Sequence, residues 1–413
     1  MKAINAAMLL GLLSVDATTT ISLRGRSDLL SSTADDPKAL LVLQQQRVLF
    51  QDWQTRFAKT YKTAEEMAHR FAVWLKNHKY IEAHNHRALK SLSSFRLGHN
   101  EYSDLTGTEF QERFKLGSHA PTHVVTKHHR PKQQDSTANF ETTSTKGEVP
   151  DQVDWVDILP PIKNQGMCGC CWAFSAIGAI EGAHYLDTGN IVALSEQQLV
   201  DCDKSDMGCG GGLMDNAFAF IEYNTTGVCS QEDYPYAGHR HWFRGCMVEK
   251  GLCEPVPHTQ VKSYTDVENT EEALLEALAV QPVSIAIQAD LQSFRFYKSG
   301  VYEDPECGNN LDHGVLAVGY GVHDESGKPY FKVRNSWGET WGDDGYVMML
   351  RGNHAIAQNV NGTCGLLGWA SRPSLRADDD TPHEEAETNG LIVTNWNVNN
   401  NDNKLFLAAS VIT

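Results

Sequence analysis

All ten cysteines of this 413-residue chain fall between Cys168 and Cys364. A body beginning near residue 149 and ending near 376 can therefore be cross-linked, whereas the N-terminal third and the tail cannot. Three of the ten crowd into Asn164-Gln165-Gly166-Met167-Cys168-Gly169-Cys170-Cys171-Trp172-Ala173-Phe174, which runs on into apolar residues at helical spacing. A thiol in the first turn of a helix sits at the positive end of the helix dipole, which favours the nucleophilic thiolate. An upstream Gln is a ready hydrogen-bond donor for an oxyanion formed on attack. Clustered cysteines also read as structural disulfides or a metal knot. A zinc or copper site would need further ligands at fixed spacing, so no metal and no cofactor is expected.

The formal net charge of −17 and pI near 5.4 argue against nucleic acid or an anionic membrane as partner, and neither is expected. Lys2 precedes an apolar run from Ala6 to Val15, and Val15-Asp16-Ala17 has the small residues a signal peptidase reads. This predicts a secretory signal peptide over residues 1–17, the alternative being an uncleaved anchor. The secretory route permits disulfides and makes Asn224 and Asn361, each in an N-x-T triplet, candidate glycan acceptors.

Residues 40–116 are charged, helical in pattern and free of cysteine. Residues 117–146 read as an exposed polar linker, with His119, His123, His128 and His129 within it. Residues 377–413 form an acidic, Asn-rich tail. Inside the body, helices are predicted for Trp172 to Leu186, after Ser195-Glu196-Gln197-Gln198 with its capping-box spacing, and for Leu213 to Tyr223. Strands are predicted at Val283 to Ile287, His313 to Tyr320, Tyr330 to Val333 and Gly345 to Leu350. Helices followed by strands argue for an α+β fold of two lobes with a groove between them.

Two strand segments bring the thiol its partners. His313 heads one apolar strand and Asn335 ends the next, with Val322 to Lys328 as the hairpin loop between them. Side by side, the amide oxygen would accept from one imidazole nitrogen and leave the other for the thiol. Trp337 would cover that bond.

On these residues the chain resembles papain-family cysteine proteases, close to the cathepsin L group. His313 follows Cys171 by about 140 residues, inside the family's roughly 130–150, and Asn335 lies somewhat beyond it. Upstream, Glu66, Arg70, Trp74, Asn77, Ile81 and Asn85 are similar to the interspersed motif of cathepsin L propeptides, with Trp in place of the usual Phe. Gly98-x-Asn100-x-Tyr102-x-Asp104 resembles the second propeptide motif, with Tyr for Phe.

The resemblance implies a papain-like fold, with a helical lobe, a barrel-like antiparallel lobe and a helical inhibitory propeptide. It implies a propeptide over 18–146, a peptidase domain over 147–376 and a mature start near Val149. Cys171 would be the nucleophile, His313 the general base and acid, Asn335 the orienter, and Gln165 with the Cys171 N–H the oxyanion hole. Cys168 would pair with Cys209, Cys307 with Cys364, and Cys202 with Cys246 or Cys253, leaving the remaining one for Cys229. Cys170 stands where Ser or Ala is commoner: a second thiol, a redox brake, or simply a small residue that fits. Gly211 and Gly212 would pair with substrate backbone. Leu213, Met214, Ala286, Leu311 and Gly314 would form an apolar second subsite, with Trp337 also against substrate and Trp369 on the pocket floor. With no acid at that floor, hydrophobic residues are expected at P2. The expected protein is a monomeric endopeptidase acting on proteins and peptides, outside the cell or in a lysosome or vacuole, with its own propeptide as inhibitor. The rival readings are a non-catalytic binding or inhibitor protein on the same scaffold, and an exopeptidase, for which no groove-closing segment is evident.

Overall fold

A computed structural model describes residues 37–90, 93–114, 149–241, 245–352 and 361–376. The predicted signal peptide, the whole predicted linker with its four histidines and the acidic tail lie outside the described residues. The chain divides into two compact units, Met1–Lys79 and Tyr80–Thr413.

In the first unit, α1 (Pro37–Arg56) is followed by the start of α2 (Ala64–Leu89). The entry to α2 is set by the Thr63 hydroxyl, which accepts from the Glu66 N–H at 3.1 Å, while the Glu66 carboxylate accepts from the Lys62 N–H at 2.9 Å. These bonds satisfy amide donors that a helix start leaves open. Phe50, Trp53 and Trp74 are buried together, edged by Phe57, Tyr61 and Phe71. Trp74, the larger ring at the propeptide motif's Phe position, is 1 % exposed.

In the second unit, β1 (Phe95–Leu97) and α3 (Gly107–Phe114) precede the disulfide-bonded body. Thr106 and Glu109 form a complete reciprocal cap at the head of α3, at 3.1 and 2.7 Å. The body opens with the two-residue strand β2 (Val153–Asp154) and continues through α4 (Cys171–Thr188), α5 (Glu196–Cys202) and α6 (Met214–Asn224). It ends in strands β3 (Ser263–Asp266), β4 (Val283–Ile287), β5 (Tyr297–Tyr302), β6 (His313–Val322), β7 (Pro329–Arg334), β8 (Tyr346–Leu350) and β9 (Ala370–Ser374), with helix α7 (Glu271–Val280) between β3 and β4. The sheet order is β1-β5-β8-β7-β6-β4-β9-β3, with β2 also on β6. Helices in one block and strands in the next give the two-lobe α+β arrangement expected from the sequence.

Two local expectations changed. The spacing of Phe174, Ile177 and Ile180 suggests an amphipathic helix, yet α4 is buried on every side from Trp172 to His184. One face packs in the helical lobe's core and another lies on β6, with Gly178 against the Leu316 side chain. The charge this buries, Glu181, is neutralised by Lys163 at 2.7 Å; Lys163 also reaches Glu196 at 2.6 Å. At α5, the Ser195 hydroxyl caps the Gln198 N–H at 3.1 Å as expected. The Gln198 side chain does not complete the box. It bridges Gly227 O and Cys229 N, tying α5 to the neighbouring loop.

Residues 80–114 pack on the strand lobe. Strand β1 pairs antiparallel with β5. The Asn85 side chain mimics a strand neighbour, giving to Leu97 O at 2.8 Å and taking from Leu97 N–H at 2.9 Å. Asn100 donates to Arg295 O at 2.7 Å, and the Arg295 guanidinium donates back to the carbonyls of Tyr102 and Leu105.

Candidate active site

Cys171 is the first residue of α4 and Cys170 its N-cap. His313 begins β6, and Asn335 follows directly on β7; the antiparallel pairing of Leu316 with Arg334 brings the two to the same end of the sheet. His313 Nε2 and Asn335 Oδ1 are 2.8 Å apart. The same Oδ1 accepts from the Ser336 N–H at 2.7 Å, which fixes it as an acceptor and puts the imidazole proton on Nε2. His313 Nδ1, left as the basic atom, is buried with no hydrogen-bond partner. The Trp337 ring lies over the imidazole, centroids 4.8 Å apart and 27° from parallel. Above it, Phe110 and Phe114 of α3 pack on Trp337, and the Tyr102 hydroxyl donates to the Trp337 carbonyl at 3.1 Å.

Gln165 is fully buried and its amide is oriented at both ends. Its Oε1 accepts from the Ser336 hydroxyl at 2.6 Å, and its Nε2 donates to Cys168 O at 3.0 Å. An amide nitrogen carries two hydrogens, so one remains for an incoming oxyanion. Ser336 thus serves both Asn335 and Gln165. Its signal in the sequence was only its place between Asn335 and Trp337.

Burial works against the thiolate that a helix N-terminus favours. Burial pushes the Cys171 thiol up to about 11, against the lowering effect of the Gly314 N–H. Burial likewise pulls His313 down to about 4, despite its bond to Asn335. Moving the thiol from about 9 to about 11 disfavours the thiolate by roughly 2.7 kcal/mol. A helix end supplies about 0.3–1 kcal/mol. For both groups burial is the largest influence, and both shifts run toward the neutral forms.

The cysteines sort completely. Disulfides join Cys168 to Cys209, Cys202 to Cys246, Cys229 to Cys253 and Cys307 to Cys364. Cys170 and Cys171 are free. Cys170 is buried with its sulfur 3.0 Å from the Tyr236 hydroxyl, which itself donates to Gln165 O at 2.7 Å. With the phenol hydrogen so engaged, the Cys170 S–H is the donor of the pair. Burial raises its pKa and keeps it a thiol.

Around the thiol, Gly314 is enclosed: a side-chain carbon there would lie 3.1 Å from the Met214 sulfur and 3.2 Å from Trp172 Cα. Ala286 pairs with Gly314 across β4 and β6. Leu213 and Met214 are buried, while Leu311 lies half-buried against Gly365. Gly211 has a left-sided φ of 118°, which favours glycine. The indole N–H of Trp369 donates to Asp215 at 2.9 Å, and Ser371 donates to the same carboxylate. An acid therefore does stand behind the supposed floor, a group the sequence reading missed because Asp215 lies 154 positions away on α6. Asn224 is exposed at the end of α6, and Asn361 is half-buried beside Gly368.

Comparison with known proteins gives a concordant picture. The family described as papain family cysteine protease matches residues 149–371, and the cathepsin propeptide inhibitor domain (I29) matches residues 50–110. The chain is 41 % identical over 330 residues to "Cysteine protease XCP2" of Arabidopsis thaliana, covering 79 % of this chain and 85 % of that one. It is 41 % identical over 323 residues to "Cysteine protease 1" of Oryza sativa subsp. japonica, but spans only 61 % of that protein's length against 77 % of its own. Among solved structures, the proform of the ragweed pollen allergen Amb a 11 cysteine protease superposes with a TM-score of 0.66 at 31 % identity, covering 83 % of this chain and 98 % of that one. Recombinant stem bromelain precursor gives 0.67 at 32 %, covering 81 % and 100 %.

Proposed function

Because the chain belongs to the papain family of cysteine proteases, with a cathepsin-type inhibitor domain ahead of the peptidase body, we propose that it is a zymogen that cleaves internal peptide bonds after losing residues up to about 146. The observation that carries this reading is His313 Nε2 held 2.8 Å from Asn335 Oδ1, with its free Nδ1 at the end of the sheet that faces the Cys171 helix start.

In that mechanism His313 Nδ1 takes the thiol proton as Cys171 Sγ attacks the scissile carbonyl carbon. The oxyanion is met by the Gln165 amide and the Cys171 N–H. The imidazolium then protonates the leaving amine, and a water activated by the same Nδ1 releases the acyl group from sulfur, regenerating the thiol. Asn335 keeps the imidazole tautomer and plane through both halves. Loss of the segment carrying Tyr102, Phe110 and Phe114 would rehydrate the site and allow the thiolate–imidazolium pair that burial suppresses here.

The apolar lining by Leu213, Met214, Ala286, Leu311 and Gly314 favours hydrophobic P2 residues, and Asp215 is occupied by Trp369 and Ser371 rather than offered to an arginine. Entry to the secretory route, a monomeric state, and action outside the cell or in a lysosome or vacuole belong to the same proposal. Among the described residues no helix is long and apolar enough to cross a membrane.

Acid incubation of the purified precursor, with and without an epoxide thiol inhibitor, tests the reading. The expected result is mass loss to near residue 149, blocked by inhibitor that labels Cys171. Labelling elsewhere, or cleavage unaffected by the inhibitor, overturns it. For the P2 preference, a Phe-Arg reporter should be cut faster than an Arg-Arg one, and equal rates would refute it.

A further inference from the structure

The loop between α5 and α6 contains an arrangement that the cleavage chemistry does not use. Asp203, which follows the last turn of α5, and Asp206 are 0 % and 4 % exposed. Each has one well-satisfied oxygen. Asp203 Oδ1 accepts from the Ser205 N–H at 2.8 Å and from the Ser205 hydroxyl. Asp206 Oδ1 accepts from the Leu213 N–H at 3.1 Å and from Asn216 Nδ2 at 3.0 Å. The other oxygen of each, Oδ2, is buried and meets no N–H or hydroxyl donor among the described residues. The two carboxyl side chains are within hydrogen-bonding reach of each other. Two buried carboxylates so placed repel strongly, and a single proton between them replaces that repulsion with a short O–H···O bond.

This pair underlies the segment that carries Gly211, Gly212 and Leu213. A side-chain carbon on Gly212 would lie 2.7 Å from the Asp206 carboxyl carbon and 2.6 Å from the Trp172 ring, so the wall rests directly on both. Trp172, next to the nucleophile, is anchored to the same loop through its indole N–H on Gly208 O at 3.1 Å. The Leu213 N–H bond to Asp206 closes the loop where α6 begins.

We propose that Asp203 and Asp206 share one proton and that the shared proton positions the Gly211–Leu213 wall for substrate backbone, acting on KM and not on the Cys171–His313 chemistry. The proposal rests on the reading that Gly211 and Gly212 line the bound substrate.

Its pH range follows from the surroundings. Burial first, and then the charge of Asp203, push Asp206 up to about 8; burial raises Asp203 as well. The charged groups on adjoining elements have partners of their own. Lys204 faces Glu249 at 3.3 Å, and Asp201 holds Tyr234 and His241. Arg240 donates to the Asp201 carbonyl, and Asp215 on α6 holds Trp369 and Ser371. The pair therefore keeps its proton through the acid and neutral range and loses it as the pH rises through about 8.

The test uses the acid-matured enzyme from the full chain, with one peptide amide ending at P1 and one reaching P3, from pH ~6 to ~9. For the wild type, KM of the longer substrate should rise about fivefold at the alkaline end, the worth of one net hydrogen bond. Asp206→Asn keeps the Leu213 contact and supplies a permanent donor to Asp203, so its KM should stay flat while kcat follows the wild-type profile. Asp203→Asn does the same with the roles exchanged, should the first variant fold poorly. A protonated-carboxyl infrared band in the wild type should vanish in either variant. A KM rise in the variants parallel to the wild type, or absence of that band, overturns the proposal. Equal KM for the short and long substrates at every pH instead overturns the wall reading beneath it.

Discussion

Replacing Tyr102 by Phe removes one hydroxyl from the interface between the inhibitory segment and the catalytic machinery. The ring is 1 % exposed, set edge-on to Phe110 and Phe114, and its hydroxyl donates to the carbonyl of Trp337, the residue that covers His313. Among the described residues, no other donor to that buried carbonyl is found. The loss should cost about 1–1.5 kcal/mol, a net hydrogen bond plus part of the desolvation of the stranded oxygen. The fraction of precursor with this segment lifted should then rise about 5- to 12-fold at this cost. Tyr102→Ala removes the whole buried ring, worth ~3–5 kcal/mol, and should raise that fraction beyond 100-fold. The rate at which an epoxide inhibitor labels Cys171 serves as the readout of that fraction. The assay is the labelling rate of intact precursor at a pH where self-processing is slow, beside the melting temperature. Rates for Tyr102→Phe equal to the wild type, with Tyr102→Ala accelerated, would mean that the ring matters and the hydrogen bond does not. Equal rates for all three would refute the claim that this contact holds the zymogen shut.

Three further outcomes are expected. Gln165→Ala should lower kcat of the matured enzyme by about 10²–10³, with KM little changed, since one oxyanion donor is lost. His313 titrates near 4 in the folded precursor against about 6.5 unfolded, so the unfolded chain binds the extra proton between those values. The stability this gives is present above about 6.5 and is lost as pH falls through about 4, up to roughly 3 kcal/mol. The comparison is between melting curves of Cys171→Ala precursor with and without His313→Gln, and it cancels the opposite trend from Asp206. Replacing Cys229 and Cys253 together by Ser should cost about 3 kcal/mol by chain entropy, seen as a lower melting temperature with activity retained.

Much of the site is legible in the chain because its groups are carried by regular elements whose periodicity is local. A helix start at Cys171, a strand head at His313 and a strand end at Asn335 can each be read from neighbours, and a hairpin between the last two makes adjacency the default. The propeptide motifs are legible for the same reason, since Asn85, Asn100 and Tyr102 sit at fixed offsets within one helix and the segment after it. What they bind is not legible: Leu97, Arg295 and Trp337 are reached only through the pairing of β1 with β5 and the packing of α3.

The sequence by itself determined the residue types and the order of helical and stranded blocks. Tertiary structure alone decided four things: the assignment of Cys202 to Cys246 and Cys229 to Cys253, the Cys170–Tyr236–Gln165 chain, the Asp203–Asp206 pair, and the burial that raises Cys171 and lowers His313. All four depend on what fills the space around a group, and they have one physical cause. Hydrogen bonding and helix dipoles act over a turn of chain, whereas the loss of water that sets bonding partners and charge states comes from segments distant in sequence. In this chain that difference sets the dipole at the start of α4, which favours a Cys171 thiolate, against a burial that raises the pKa of the same thiol.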